Sequence, residues 1–253
     1  MKFVTFNIRM DNKADGVNSF TNRKGFILDK LENERPDIIA FQEMRPEMHV
    51  WMRRHLNALG YTLLGCGRGA DLEDEHNPVA FLSDKYEPVS LNVSWLSDTP
   101  DVPGSRFEDQ SSCPRIVTHL KLKGDFGVFN VFNTHLDHVA QYARIKGAEL
   151  VLRQISAEPT LPVIVSGDFN AYPDSEEVRL FDDPSIGLTE LTKGIGTTWH
   201  DWGRKLPPQI DYIFTRGFKT DKPAVKWEDN LNGVYLSDHY PVSVEIEPCK
   251  EDK

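Results

Sequence analysis

Apolar and polar residues alternate in short runs along most of the chain, and polar turns separate the runs. A period of two marks a strand with one face buried. On that pattern, in runs rich in Val, Ile, Phe and Thr, strands are predicted at 2–9, 37–42, 61–65, 79–82, 89–96, 115–122, 127–134, 162–166, 210–215 and 241–247. Helical spacing predicts 21–34, stopped by Pro36, and 46–59, ended by Gly60. A longer helix is predicted from about 138 to 156 and a short one within 174–182. The early strand–helix–strand order favours parallel pairing, whereas the tight Gly124-Asp125 connection demands an antiparallel pair. Mixed sheets with helices outside them are therefore expected. Segments 66–77, 97–114 and 194–208 read as surface loops. No repeat or linker divides the chain, so one domain covering 1–253 is expected.

Composition narrows the class. Hydrophobic residues make up 39% and charged residues 27%, as in a water-soluble globular protein. No apolar run approaches the roughly 20 residues of a membrane span. Cys66, Cys113 and Cys249 form neither a metal spacing nor a disulfide framework, which favours a reducing compartment. A cytoplasmic location is expected, or an exported one if a leader has been trimmed, and a monomer is expected. The formal charge is −10, from 29 basic and 39 acidic residues. That balance argues against tight, non-specific binding of long nucleic acid, which draws on a basic surface.

The stretch Val163–Ser175, "VIVSGDFNAYPDS", runs β-branched residues straight into Gly-Asp-Phe-Asn. If the strand continues, alternation puts Asp168 and Asn170 on one face and Phe169 on the other. The same junction recurs along the chain. Asn7 ends the first strand, Gln42-Glu43 the second, and Asn133 and His135 a later one, while Asp211 and Asp238-His239 open two more. In mixed sheets the end of one strand and the start of an antiparallel neighbour share a rim, so these residues can meet. Gathered carboxylates raise one another's pKa unless a cation sits among them. Ligation by Glu, Asp and amide oxygens suits Mg²⁺ or Mn²⁺ better than Zn²⁺. His135 and His138 have an H-x-x-H spacing, but no cysteine or HExxH accompanies them.

The motifs "TFNIR", "FQE", "NTHLDH", "SGDFNA", "IDYIF" and "SDHYPV", in that order, resemble the endonuclease/exonuclease/phosphatase superfamily, which includes deoxyribonuclease I. "WLSDTPDVPGS" followed by "CPRIV" further resembles a bacterial branch of metal-dependent hydrolases. The resemblance implies an α/β (α+β) four-layer sandwich, two packed mixed sheets flanked by helices, and hydrolysis of a phosphate ester. Such hydrolysis needs an in-line nucleophile and neutralised phosphoryl charge. Glu43 is the best Mg²⁺ ligand, with Asn7 beside it and Asp238 as a possible second carboxylate. Asp168 would orient and deprotonate the attacking water, and Asn170 would donate to water or phosphate. His239, paired with Asp211, would contact the phosphate or act as acid–base, and His135 would be a second phosphate donor.

Two arginines are further candidates for phosphate contact. Arg144 falls within the apolar stripe of the long helix, where a guanidinium needs a carboxylate, carbonyls or a phosphate. A structural ion pair and a substrate contact are both open to it. Arg115 opens a strand after Cys113-Pro114. Trp95, Trp199, Trp202 and Tyr172 are candidate stacking surfaces. The expected substrate is a small or short phosphoester. A deadenylase-like exonuclease or an endonuclease acting on nucleic acid is the alternative, and a catalytically idle binding module on the same fold a third reading.

Overall fold

The computed structural model describes residues 1–249. In chain order its elements are β1 (Lys2–Asn7), a 3₁₀ turn (Lys13–Asn18), α1 (Phe20–Glu34), β2 (Ile38–Gln42), α2 (Pro46–Ala58), β3 (Tyr61–Leu64), β4 (Val79–Leu82) and β5 (Glu87–Trp95). Then follow β6 (Ile116–Gly124), β7 (Gly127–His135), α3 (Gln141–Ser156), β8 (Val163–Asp168), α4 (Glu176–Arg179), β9 (Thr189–Glu190) and β10 (Asp211–Arg216). The C-terminal part holds β11 (Phe218–Lys219), β12 (Val225–Lys226), β13 (Asn230–Leu231), β14 (Val234–Tyr235), β15 (Val242–Glu245) and β16 (Glu247–Pro248).

Two six-stranded sheets carry the fold, ordered β12–β15–β1–β2–β4–β3 and β5–β6–β7–β8–β10–β9. Both are mixed: β1–β2 and β7–β8 are parallel, and the remaining pairs in each are antiparallel. Strand alternation builds the layers. Phe3, Ile38, Ala40, Val79 and Phe81 of the first sheet meet Leu120, Leu122, Val131, Ile164 and Ile213 of the second. The opposite face of the first sheet, with Val4, Phe6, Ile39 and Phe41, packs on Ile27 and Leu31 of α1 and Met48, Met52 and Leu56 of α2. The opposite face of the second, with Phe132, Val163, Val165 and Phe214, packs on Ala148, Val151 and Ile155 of α3 and Val178 of α4. The result is the expected helix–sheet–sheet–helix sandwich. Each buried Phe, Ile or Leu contributes about 1.5–3 kcal/mol, so the strand ends are held by the core behind them.

Two expected boundaries move for physical reasons. The strand predicted at 2–9 stops at Asn7, because Arg9 takes a φ of 55° that no strand accommodates. The helix predicted from about 138 begins at Gln141, because Asp137 Oδ1 accepts from the backbone N–H of Val139 and Ala140 and holds them in a turn. Six two-residue strands (β9, β11, β12, β13, β14 and β16) are too short to leave a periodic signal. No described helix is long and apolar enough to cross a membrane.

Candidate active site

The facing surfaces of the two sheets are apolar along most of their length and polar at one end. Following the alternation that sets Phe3, Ile38, Val131, Ile164 and Ile213 between the sheets, Asn7, Gln42, His135, Asp168 and Asp211 share those inner faces. Register then fixes their neighbours. His135 on β7 lies beside Asp168 on β8, and Asp168 lies directly across from Asp211 on β10. The tight approach of β8 to β7 explains the glycine in "SGDFNA": a Cβ on Gly167, whose φ is 149°, would stand 1.9 Å from the Thr134 carbonyl oxygen.

Left-handed residues at three strand ends aim the remaining groups. Alternation alone would send Glu43 to the helix side with Phe41, but its φ is 62° and its carboxylate turns back toward β1. Arg9 has a φ of 55° and Asn170 one of 48°. Non-glycine residues seldom adopt this region, and strain of this kind is retained where the surroundings impose it. Asn170 corrects an expectation. It does not share a strand face with Asp168, because β8 ends at Asp168 and Asn170 folds back in an Asx-type turn. Its backbone N–H donates to Asp168 Oδ1 at 2.9 Å and its side chain to the Leu136 carbonyl at 3.1 Å.

Hydrogen bonds lock the acidic groups together. The Asn7 amide donates to Glu43 Oε1 at 3.0 Å and to Asp168 Oδ2 at 2.9 Å, while its own oxygen accepts from Arg9 N–H at 3.0 Å. Asn7 thus ties two carboxylates together with its amide nitrogen, a different contact from the oxygen ligand expected of it. Met10 N–H donates to Glu43 Oε2 at 3.1 Å. His239 Nδ1 donates to Asp211 Oδ2 at 2.9 Å, which leaves Nε2 3.7 Å from Asp168 Oδ2. His135 Nε2 is 3.5 Å from the same oxygen. Asp238 stands apart, linked to Glu43 through Arg9, which is 3.8 Å from Glu43 and 3.9 Å from Asp238.

The electrostatics follow from burial and from these pairings. Burial, then the Asp211 carboxylate opposite, pushes Asp168 up to about 7. Burial alone would lower His239, but Asp211, Asp168 and Asp238 outweigh it and push it up to about 10. His135 is held well below the usual histidine value by burial, then by Arg115 and Arg68. Burial would raise Glu43, but Arg9, the Asn7 hydrogen bond and His239 bring it below the usual carboxylate value. At neutral pH the arrangement therefore offers an ionised Glu43, a protonated His239 and a neutral His135. Ligand atoms of Glu43, His135 and Asp168 lie within 4.8 Å of one another, as do those of Asp168, Asp211 and His239. Such a buried, carboxylate-rich donor set fits a cation, and His135 Nδ1 and Asp211 Oδ1 are buried there without hydrogen-bond partners among the described residues.

These groups open into a cleft of about 630 Å³. Sequence reasoning overlooked Arg9, Arg68 and Glu75 in its lining. Arg9 lies inside "TFNIR" and was legible as a motif neighbour. Arg68 and Glu75 sit in an aperiodic loop that carries no such signal. Arg115, Tyr172 and Trp199 line the cleft, as does His138. Arg144 does not: it donates to Glu177 on α4 and to the Asp137 carbonyl. Trp95 is core and donates to the Arg68 carbonyl at 2.6 Å. Trp202 lies 5.6 Å from the Arg23 guanidinium.

Known proteins share both the sequence pattern and the architecture. A structure from Bacteroides vulgatus, described as an endonuclease/exonuclease/phosphatase, superposes with a TM-score of 0.90 at 30% identity, over 98% of each chain. The mannosyl-6-phosphatase of Bacteroides thetaiotaomicron superposes with a TM-score of 0.86 at 26% identity, over 98% of this chain and 99% of that one. L388, an uncharacterized protein of Acanthamoeba polyphaga mimivirus, is 28% identical over 279 residues, covering 98% of this chain and 100% of that protein. Residues 4–239 match the profile of the Endonuclease/Exonuclease/phosphatase family, a span that runs from the first inner strand through His239. With its two-sheet core and its polar rim inside that span, the chain belongs to this family of phosphoester hydrolases.

Proposed function

We propose that the chain is a divalent-metal-dependent phosphoesterase that hydrolyses a small phosphate ester. The observation that carries this reading is Asp168, set opposite Asp211 and within 3.7 Å of both His135 and His239 at the floor of the cleft. Asp168 orients a water molecule for in-line attack on phosphorus and takes its proton. The new P–O bond forms as the bond to the alcohol breaks, and the alcohol gains its proton from solvent at the cleft mouth. A pKa raised to about 7 suits Asp168 to that exchange. His239, held protonated and oriented by Asp211, donates from Nε2 to a phosphoryl oxygen. His135, neutral, donates to another, and the Asn170 turn keeps Asp168 in place. Glu43 would hold a Mg²⁺ or Mn²⁺ ion, with Asp168 and His135 in reach and Asp238 beyond Arg9, and the ion would supply positive charge against the phosphoryl oxygens.

Substrate size is argued from charge and from kinship. A net charge of −10 disfavours a long polyanion. Tyr172 and Trp199 at the cleft wall offer faces for a sugar-sized leaving group. The similar mannosyl-6-phosphatase is named for a small phosphomonoester. The test is hydrolysis of sugar phosphates, simple diesters, a short oligonucleotide and plasmid DNA, each with Mg²⁺, with Mn²⁺ and in excess EDTA. Turnover of a small ester that stops in EDTA is expected; full turnover in EDTA, or a strong preference for plasmid DNA, defeats the proposal. Glu43→Gln should weaken metal binding about tenfold or more, read by calorimetry, with folding little changed.

A further inference from the structure

The cleft has a second polar end that the chemistry above leaves unused. Arg115, just before β6, lies two strands along the sheet from Asp168 on β8. Strands sit about 4.8 Å apart, so a long side chain spans much of that gap. Arg115 Nη2 donates to His138 Nδ1 at 2.9 Å. A guanidinium has no lone pair to offer, so Nδ1 is the bare nitrogen and the His138 proton sits on Nε2. Arg115 Nε and Nη1 are buried and have no hydrogen-bond partner among the described residues. The nearest carboxylate is Asp137, 3.8 Å away, and its oxygens already accept from Ser111, Val139 and Ala140. Arg68, at the same end, is committed to Asp74 and Glu75. Arg115 therefore carries two buried, unpaired donors in the cleft wall, a costly arrangement unless an anion completes it, and the ring N–H of exposed His138 lies beside them.

We propose that Arg115 and His138 form an anion subsite for the terminal oxygens of a phosphomonoester dianion, which makes the substrate a phosphomonoester in preference to a diester. The inference rests on the hydrolase reading and narrows its substrate class. A diester phosphate carries one negative charge, which His239 and a cation at Glu43 already oppose. A monoester adds a second charge and a third unbridged oxygen, and Arg115 meets them with its positive charge and with unpaired donors at Nε and Nη1, on different edges of the guanidinium.

The experiment compares wild type, Arg115→Met, Arg115→Lys and His138→Ala on p-nitrophenyl phosphate and on bis(p-nitrophenyl) phosphate with saturating Mg²⁺. Inorganic phosphate binding is measured in parallel by calorimetry, and folding by circular dichroism. Arg115→Met is expected to raise the monoester KM and the phosphate Kd about 10- to 100-fold, the usual worth of hydrogen bonds to a charged group. Its diester kcat/KM should fall at least tenfold less than its monoester kcat/KM. His138→Ala should show the same selectivity more weakly, and Arg115→Lys should recover part of the phosphate affinity. Equal losses on both esters, unchanged phosphate affinity, or a wild-type preference for the diester overturns the proposal. If wild type cleaves neither ester, the hydrolase reading fails, and the phosphate affinities still decide the subsite. If Arg115→Met unfolds, the Arg115→Lys and His138→Ala comparison decides it.

Discussion

Arg23 on α1 and Arg115 before β6 are both almost wholly buried, at 0% and 4% exposure. Burial drags both guanidiniums below their ordinary pKa, Arg23 to about 10. Their surroundings differ. Arg23 donates to the carbonyls of Asn18, Ile8, Arg9 and Leu236, so it sews the turn after β1 to the loop that leads to Asp238 and His239. Arg115 meets only His138, with a carboxylate at 3.8 Å that is already saturated. The polar groups between the sheets divide in the same way. Gln42 and Asn133, deep in the layer, bond to each other at 2.7 Å and to neighbouring carbonyls, and leave only Gln42 Oε1 unpaired. At the rim, His135 Nδ1, Asp211 Oδ1 and two nitrogens of Arg115 have no partner among the described residues. Interior groups left open, such as Thr118 Oγ1 and Ser166 Oγ, are neutral hydroxyls, whereas those at the rim include a guanidinium and a carboxylate, whose charge is the costlier to leave unpaired.

The contrast is sharpest if rim substitutions change rate and interior substitutions change stability. Asp168→Asn should lower kcat by about 10²–10⁴, the range for a positioned base. Its melting temperature should hold or rise, because the facing Asp168 and Asp211 carboxylates no longer repel. A variant that keeps more than half the wild-type rate would remove Asp168 from the role assigned to it. Next in size, Arg23→Met strands buried carbonyls and should cost about 4 kcal/mol. In a chain of this length that is a fall of roughly 8–16 °C in a thermal melt. A melting point within about 2 °C of wild type would erase the distinction between Arg23 and Arg115.

Arg144→Met tests an intermediate case. Its partner Glu177 is fully buried, so removing the guanidinium leaves an uncompensated carboxylate and should cost about 3 kcal/mol. KM should stay near the wild-type value at a permissive temperature, since Arg144 lies outside the cleft lining; a raised KM with intact stability would return it to the substrate. The smallest effect concerns histidines. His239 is kept charged by carboxylates, whereas burial lowers His49 and His200 to about 4 each. As pH falls below about 6.5, the unfolded chain takes up these protons before the folded one does. The contribution of these two histidines should therefore be lost from about pH 6.5 down to about pH 4, against an opposite gain from the raised Asp168 and Glu75 carboxyls. His49→Gln should lose less than wild type between pH 7 and pH 4.5 in paired melts, and parallel losses would show that His49 does not contribute.

The longer strands, the helices and the placing of Asn7, Glu43, His135, Asp168 and Asp211 at strand ends were legible in the chain alone, whereas Asp238-His239 lie in the loop ahead of β15. Each depends on local periodicity or on residues adjacent in sequence, and a period of two reads the same wherever the strand is placed. The glycine of "SGDFNA" was visible in the chain, although the Thr134 carbonyl that requires it was not. Tertiary structure decided the rest. It set Asp168 across from Asp211 by register, turned Asn170 off the strand, moved Arg68 and Glu75 from an unpatterned loop into the cleft, and separated Asp238 from Glu43 by Arg9. It also decided which buried arginines are complete. Arg23 owes one of its acceptors to Leu236, 213 residues away. Hydrogen-bond satisfaction depends on which groups meet at about 3 Å, and only the packed chain brings such distant groups together.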